Sequence, residues 1–292
     1  MALGLTGNLS GIVNNVLREV YLDGAASALA DLSWVQMFPW GGSEFIAQGT
    51  KPPSGYSSSG VVEGSDYVSE AVEKTYATTI TMVEARMSYA LSGIAASTMP
   101  MELKMELFRQ LGALGTRYYA QLAAALLNAA TSTNLSDGVP LGSASHPSDA
   151  GLMSNYVNSS LGFTSYQSAV RVLRDTQNHR GTIMALEPRC LIFPSALDVT
   201  AAQVLGAQYA ANDLSQPNVV PSGVRPIRLP ELTSSTRWFL NDDSRAFMMP
   251  VLKGQTPKVQ EAGTRNDDDN YVVRDAIWAG AGCKSWRGTI VG

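Results

Sequence analysis

The sequence predicts an α+β fold organised around one long helix, and three observations carry that prediction. Leu103, Leu107, Leu111, Leu114, Tyr118, Leu122 and Leu126 recur every three or four residues across Met101 to Thr131, the stripe of one buried helix face. Ahead of it, Tyr76, Thr78, Ile80 and Met82 alternate with Ala77, Thr79 and Thr81, the period of a β-branched strand. Behind it, short apolar runs separated by turn residues fill the last third. At 1.5 Å per residue the helix would span roughly 45 Å. Ordinary globular helices have about 8 to 20 residues, so this one reads as a strut rather than a pocket wall.

From Ser10 to Ala30 the pattern Ile12, Val13, Val16, Leu17, Val20, Tyr21 predicts a short amphipathic helix with Ser10 as N-cap, ended or broken at Asp23-Gly24. Trp34, Val35, Phe38 and Trp40 follow and lead into Gly41-Gly42. This stretch reads either as an arm that packs on something else or as a two-helix hairpin of the main core. Between Gly49 and Gly93 the loop-rich segments Lys51 to Gly55 and Ser57 to Gly60 precede the alternating strand, which predicts a long, projecting β-hairpin. A two-stranded hairpin is marginal alone, so a projecting one implies a partner surface.

The long helix starts at Thr98 or Met99 with Pro100 in its first turn, where a missing N–H costs little. Gly112 and Gly115 inside it imply close approach of another backbone, or a bend. A third helix is expected with Thr164 as N-cap and Gln167 at the third position, an inner face of Ala169, Val170 and Leu173, and a stop at Gly181. Arg189 to Pro194 reads as a short buried strand that turns into a capped helix, Ser195 to Ala207, with Asp198 at its third position. Strands are expected at 226–229, 237–240, 246–249, 271–273 and 277–278, with turns at Asn241-Asp242-Asp243 and Asn266 to Asn270.

Composition narrows the function. The 292 residues suffice for a large core, and 45% apolar against 16% charged residues argues for a folded chain. Low charge also fits a surface hidden against partners. A net charge of −4 argues against a dedicated nucleic-acid binder. Cys190 and Cys283 have no CxxC spacing and read as free thiols of a reducing compartment. Neither a signal peptide nor a membrane span is evident, which implies a chain made and folded in a cytoplasm.

Chemistry is thin. Nucleophile elbow, Walker A loop, dinucleotide fingerprint and zincin helix are all absent from the sequence. Ser145 and His146 are neighbours in one loop, whereas triad members converge from different elements, so His146 reads as a loop histidine with a structural hydrogen bond. His179 is expected near a helix C-terminus, where the dipole favours a partly cationic ring. Asp267, Asp268 and Asp269 lack the central Gly and distal Glu of a calcium loop and read as a solvated turn. No catalytic, cofactor-binding or metal-ligating residue is assigned, and no cofactor is expected.

The order of the pieces resembles the major capsid proteins of tailed bacteriophages, the HK97-type fold, and within them the branch of the Mu-like major head subunit. The resemblance rests on Thr75 to Thr81 leading toward the long helix, then Asp137-Gly138-Val139-Pro140-Leu141 with His146-Pro147 shortly after. It continues through Gly181-Thr182 to Pro188, Leu191 to Leu197, and Trp286-Arg287-Gly288. Gly142 stands where that family commonly has Phe. The match spans Tyr76 to Gly292, and the N-terminal region matches by layout only.

What the resemblance implies is an HK97-like capsid fold. Residues 1–40 would be the N-terminal arm, 41–93 the E-loop region, and 94–163 the peripheral domain with its spine helix at 101–131. Residues 164–292 would form the axial domain, with strands returning to the peripheral one. The implied function is a head subunit, not an enzyme, self-assembling as hexamers and pentamers of an icosahedral shell that encloses double-stranded DNA without reading its sequence. Its implied partners are itself, then portal, scaffold and decoration proteins, with no membrane. Its implied place is the virion capsid, after assembly in the host bacterial cytoplasm. Some such shells crosslink Lys to Asn; Lys51 and Lys74 fall in the E-loop region, with no identifiable partner Asn. The competing readings are an encapsulin-like nanocompartment shell and a cytosolic hydrolase using Ser145 and His146.

Overall fold

The computed structural model describes residues 19–20, 22–23, 32–51, 73–92, 98–206, 209–210, 213–217, 223–242, 246–252, 258–260 and 270–292. The long helix, α1, runs Met101–Asn128 over 28 residues, roughly 42 Å. Pro100 takes its N-cap position rather than a place in the first turn. The helix ends three residues before the expected Thr131, because Asn128 is tied to a distant loop. Its Nδ2 donates to the Glu231 carbonyl at 3.1 Å, and its Oδ1 accepts the Thr233 N–H at 2.9 Å.

The buried face of α1 is rotated from the expected leucine stripe. Phe108, Leu111, Gly112, Gly115, Thr116, Ala120, Ala123, Ala124 and Leu127 face inward. Of the seven stripe residues Leu111 alone is fully buried, while Leu103 is 51% and Leu114 48% exposed. Small residues let a helix lie close to its support, so glycines and alanines take the inner face and the leucines flank it or point outward. Periodicity sees the 3.6-residue repeat but not which of two apolar stripes wins.

The strands are β1 (Val35–Trp40), β2 (Glu44–Thr50), β3 (Lys74–Thr81), β4 (Val83–Ser92), β5 (Cys190–Phe193), β6 (Tyr209–Ala210), β7 (Asp213–Pro217), β8 (Arg225–Arg228), β9 (Phe239–Asn241), β10 (Phe247–Leu252), β11 (Lys258–Gln260), β12 (Asn270–Ala279), β13 (Gly282–Cys283) and β14 (Thr289–Val291). A six-stranded sheet runs β1-β10-β12-β11, with β13 on β10 and β4 on β12. A four-stranded sheet runs β14-β9-β5-β8. The expected runs at 271–273 and 277–278 are one ten-residue strand, β12, antiparallel to β4 along its whole length. The stretch Val35–Trp40 is neither helical nor detached: it pairs parallel to β10, and Leu32, Trp34 and Val35 sit in the main core. Glu19, Val20, Leu22 and Asp23 are helical, while the rest of the helix expected over Ser10 to Ala30 lies outside the described residues.

Helix α2 spans Phe163–Arg174 and α3 spans Asp198–Gly206, the latter entered through a 3-10 turn at Ser195–Leu197. Gly162, not Thr164, holds the N-cap position of α2. The Ser165 hydroxyl accepts the Gly162 N–H at 2.9 Å and donates to the Ser160 carbonyl at 2.8 Å. The helix stops at Asp175 rather than Gly181, which instead turns a loop at φ +82°.

Alternation along β5 divides the interior. Leu191 and Phe193 face α2 and α3, meeting Tyr166, Ala169, Val170, Leu173, Ala201 and Val204. Cys190 and Ile192 face the opposite way, toward Ala120, Ala123, Ala124 and Leu127 of α1, with Trp34 and Phe247 in the same cluster. Each fully buried Leu, Ile or Phe stabilises by roughly 1.5–3 kcal/mol. The second half of the helix therefore cements both sheets.

Candidate functional site

Strands β2 and β3 form a two-stranded antiparallel hairpin separate from both sheets, extended by the Lys51 N–H donating to the Glu73 carbonyl at 2.9 Å. Residues 52–72, between those ends, lie outside the described residues. Alternation places Ile80 and Ala47 inward, where they pack with Met248, Phe38 and Phe45, while Ile46 is 60% exposed. The hairpin root meets backbone closely: a Cβ on Gly280 would lie 2.6 Å from the Thr81 carbonyl oxygen, and one on Gly282 2.5 Å from Ile80. Farther out, the contacts are polar. Lys51 Nζ pairs with Asp149 at 2.7 Å and Glu73 at 3.1 Å, and the Thr78 hydroxyl donates to the Cys283 carbonyl at 3.1 Å. The paired carboxylates hold the Lys51 ammonium above its ordinary range, and Lys51 draws Asp149 below its own.

Behind the root lies a buried polar knot. His146 Nδ1 sits 2.7 Å from Asp137 Oδ2, and Nε2 sits 3.1 Å from both the Leu141 carbonyl and Asn155 Oδ1. Asn155 Nδ2 donates to the carbonyls of Leu141 and Thr289 at 2.7 and 2.9 Å, which orients its amide. The imidazole stacks on Trp286 with centroids 4.3 Å apart, and the Arg287 guanidinium lies 4.5 Å from the same ring. The turn after α1, the loop carrying His146 and Asn155, and the distant C-terminal segment of Trp286 thus meet at one histidine.

That arrangement is a fastener. Both imidazole nitrogens are occupied by oxygens within the chain, so neither can take a proton from a nucleophile. The Ser145 hydroxyl lies 3.3 Å from the Ser143 hydroxyl instead. The expected structural hydrogen bond of His146 is present threefold. His179 departs from expectation: it is in a loop past α2, its Nε2 3.2 Å from Arg287 Nη1, so it accepts from that guanidinium. Burial and the Arg287 charge push its pKa below the usual histidine range, opposite to the cationic ring expected.

Cys190 and Cys283 are both free and buried, and burial pushes the Cys283 thiol up to about 12. Among the described residues no cluster of His, Cys, Asp and Glu could hold a metal ion, and no helix is long and apolar enough to cross a membrane. Asp267, Asp268 and Asp269 lie outside the described residues. Asn155 was invisible in the sequence, since nothing local marks an asparagine whose partners are 14 and 134 residues away.

No curated protein matches the sequence. Among solved structures the fold is similar to the bacteriophage JBD30 capsid, at 12% identity over 69% of this chain and 90% of that one, with a TM-score of 0.58. It is also similar to the cyanophage Pam1 capsid, at 13% identity over 92% and 91% with a TM-score of 0.54. A virus-like particle from Pyrococcus furiosus aligns at 12% identity over 95% and 98%, with a TM-score of 0.55. These likenesses establish an HK97-like α+β fold. The profile of one family, described as phage capsid protein, matches residues 98–292, from just before α1 to the last residue. The chain therefore belongs to the phage capsid protein family.

Proposed function

We propose that this chain is the repeating subunit of an icosahedral phage head, assembling with itself as hexamers and pentamers around double-stranded DNA. Beyond family membership, the observation that carries this reading is the pair of apolar surfaces the subunit leaves uncovered. Leu103 and Leu114 point outward along α1, and Ile46 points outward from the face of the hairpin opposite the one packed on Met248. The role in this reading is structural, and His146, the histidine beside Ser145, serves as a fastener of the fold.

In this reading α1 is the spine of a peripheral domain built on the six-stranded sheet. The four-stranded sheet with α2 and α3 is the axial domain, and β10 to β13 are its strands returning to the peripheral one. Because β1 belongs to the sheet, a reaching arm is confined to residues before Leu32. The DNA is enclosed rather than gripped, as a net charge of −4 predicts. Portal, scaffold and decoration proteins are the further partners, and assembly takes place in the host cytoplasm.

Negative-stain microscopy of the expressed chain, with and without scaffold, tests the proposal. Closed shells with nucleic acid inside are expected from infected cells. Monodisperse monomer under every condition, or shells filled with a cargo protein, would overturn it.

A further inference from the structure

His146 is wholly buried, and the three oxygens that meet its ring belong to a carboxylate, a backbone carbonyl and a side-chain amide. Nδ1 faces Asp137 Oδ2 at 2.7 Å, while Nε2 faces the Leu141 carbonyl and Asn155 Oδ1, each at 3.1 Å. Asn155 cannot be turned to offer its amide N–H instead. Its Nδ2 is committed to the carbonyls of Leu141 and Thr289, and its Oδ1 also accepts the Ser143 N–H at 3.1 Å. A neutral imidazole has one N–H and one bare nitrogen. Here a bare nitrogen on the Nε2 side would aim its lone pair at two oxygens that have no proton to give, so Nε2 carries a proton. A second proton lies between Nδ1 and Asp137. The Val139 N–H donates to Asp137 Oδ1 at 3.3 Å, which favours the ionised carboxylate, and the Trp286 indole stacked on the imidazole favours a cation.

We infer that His146 is held as an imidazolium paired with Asp137, and that its second proton is a clasp closing the C-terminal segment onto the turn after α1. The inference concerns the single subunit and stands apart from the shell reading. Closure runs through Asn155, whose side chain holds the Thr289 carbonyl and whose own carbonyl accepts the Val291 N–H at 2.9 Å. Taking either proton away sets a lone pair against oxygen in a site without solvent, where an unmade hydrogen bond is costly. The surrounding charges set the balance. Asp137, from the turn after α1, touches the ring and holds the proton. Asp149, on the histidine's own loop, is engaged by Lys51. Arg287, from the C-terminal segment, opposes the imidazolium, but it lies on the indole, 4.5 Å from its centroid, rather than on the imidazole. Cys283 and His179 feel the Asp137 charge yet bring none: burial pushes the thiol up to about 12, and His179 accepts from Arg287. The clasp is therefore shut at neutral pH and opens in alkali.

Nitrogen-15 spectra of the full-length subunit, labelled in its histidine rings, read these protons directly. The chain has two histidines, so His179→Gln assigns both sets of signals. At neutral pH His146 should show two protonated nitrogens, and His179, which accepts at Nε2, should show one bare nitrogen. A bare nitrogen on His146 would overturn the inference, and a bare Nδ1 would place the proton on Asp137. As the pH is raised until the His146 signals convert, protection of the Val291 N–H against hydrogen exchange should fall about tenfold in step. Constant protection through that conversion would show that the C-terminal segment is held without the proton. A ring that keeps both protons until the whole subunit unfolds would equally remove the clasp. Asp137→Asn should leave Nδ1 bare while Nε2 keeps its proton, and two protonated nitrogens in that variant would show that Asp137 is not the counter-charge. Should Asp137→Asn fail to fold, the wild-type spectrum and its course with pH decide alone.

Discussion

Asp137 and His146 meet at 2.7 Å, Oδ2 to Nδ1, with the two side chains only 4% and 0% exposed. The pair ties the turn after α1 to the loop before Asn155, and the stacked Trp286 brings in the C-terminal segment. Splitting a buried pair strands the surviving partner in low dielectric. Asp137→Asn is expected to cost about 3–5 kcal/mol in urea unfolding. A double-mutant cycle with His146→Gln should show a coupling of about 2 kcal/mol or more. Coupling below about 0.5 kcal/mol would mean that Leu141 and Asn155 alone hold the ring.

Much of this architecture is written in local sequence. The alternation from Tyr76 to Met82 marks β3, and the Asp137-Gly138 and His146-Pro147 pairs frame the knot. Gly138 turns the chain at φ +86°. What stays hidden is set by partners far along the chain. Val35–Trp40 reads as an orphan apolar stretch because the strand it joins, Phe247–Leu252, lies more than 200 residues away. The orientation of α1 is hidden for a different reason. Leucines outweigh alanines on any hydrophobicity scale, yet the surface against two sheets needs small side chains, and only packing reveals it.

The outward leucines give a prediction that separates folding from assembly. Leu103→Lys and Leu114→Lys replace side chains already half in solvent, so each should change subunit stability by no more than about 0.5 kcal/mol. Both are expected to abolish or strongly retard shell formation in light scattering, because an ammonium would enter the covered surface. Normal shells from the double variant would show that this stripe faces solvent in the particle.

Ala185 holds φ 51°, the one described non-glycine residue at positive φ. The left-handed region costs an L-residue roughly 1–2 kcal/mol, while glycine there loses extra unfolded-state entropy of about 0.4–1 kcal/mol. Ala185→Gly is therefore expected to stabilise by about 0.5 kcal/mol in denaturant titrations. Destabilisation by a similar amount would place the residue's native φ below zero.

His179 supplies a pH dependence with a definite sign. Its folded pKa is depressed, by burial first and by the Arg287 charge second, with Lys51 acting the same way and Asp149 and Asp137 opposing. The folded state thus prefers the neutral ring that accepts from Arg287, whereas the unfolded chain protonates near pH 6.5. Its contribution is fully present above about pH 6.5 and is lost as pH falls toward the depressed folded value, because the unfolded chain then binds the extra proton. His179→Gln offers an amide oxygen to Arg287 and cannot titrate. Between pH 7 and 5, wild type should therefore lose more stability than His179→Gln, read as the change in denaturation midpoint for each protein. Parallel midpoints across that range would show that the ring protonates equally in both states, and that Arg287 does not depend on it as an acceptor.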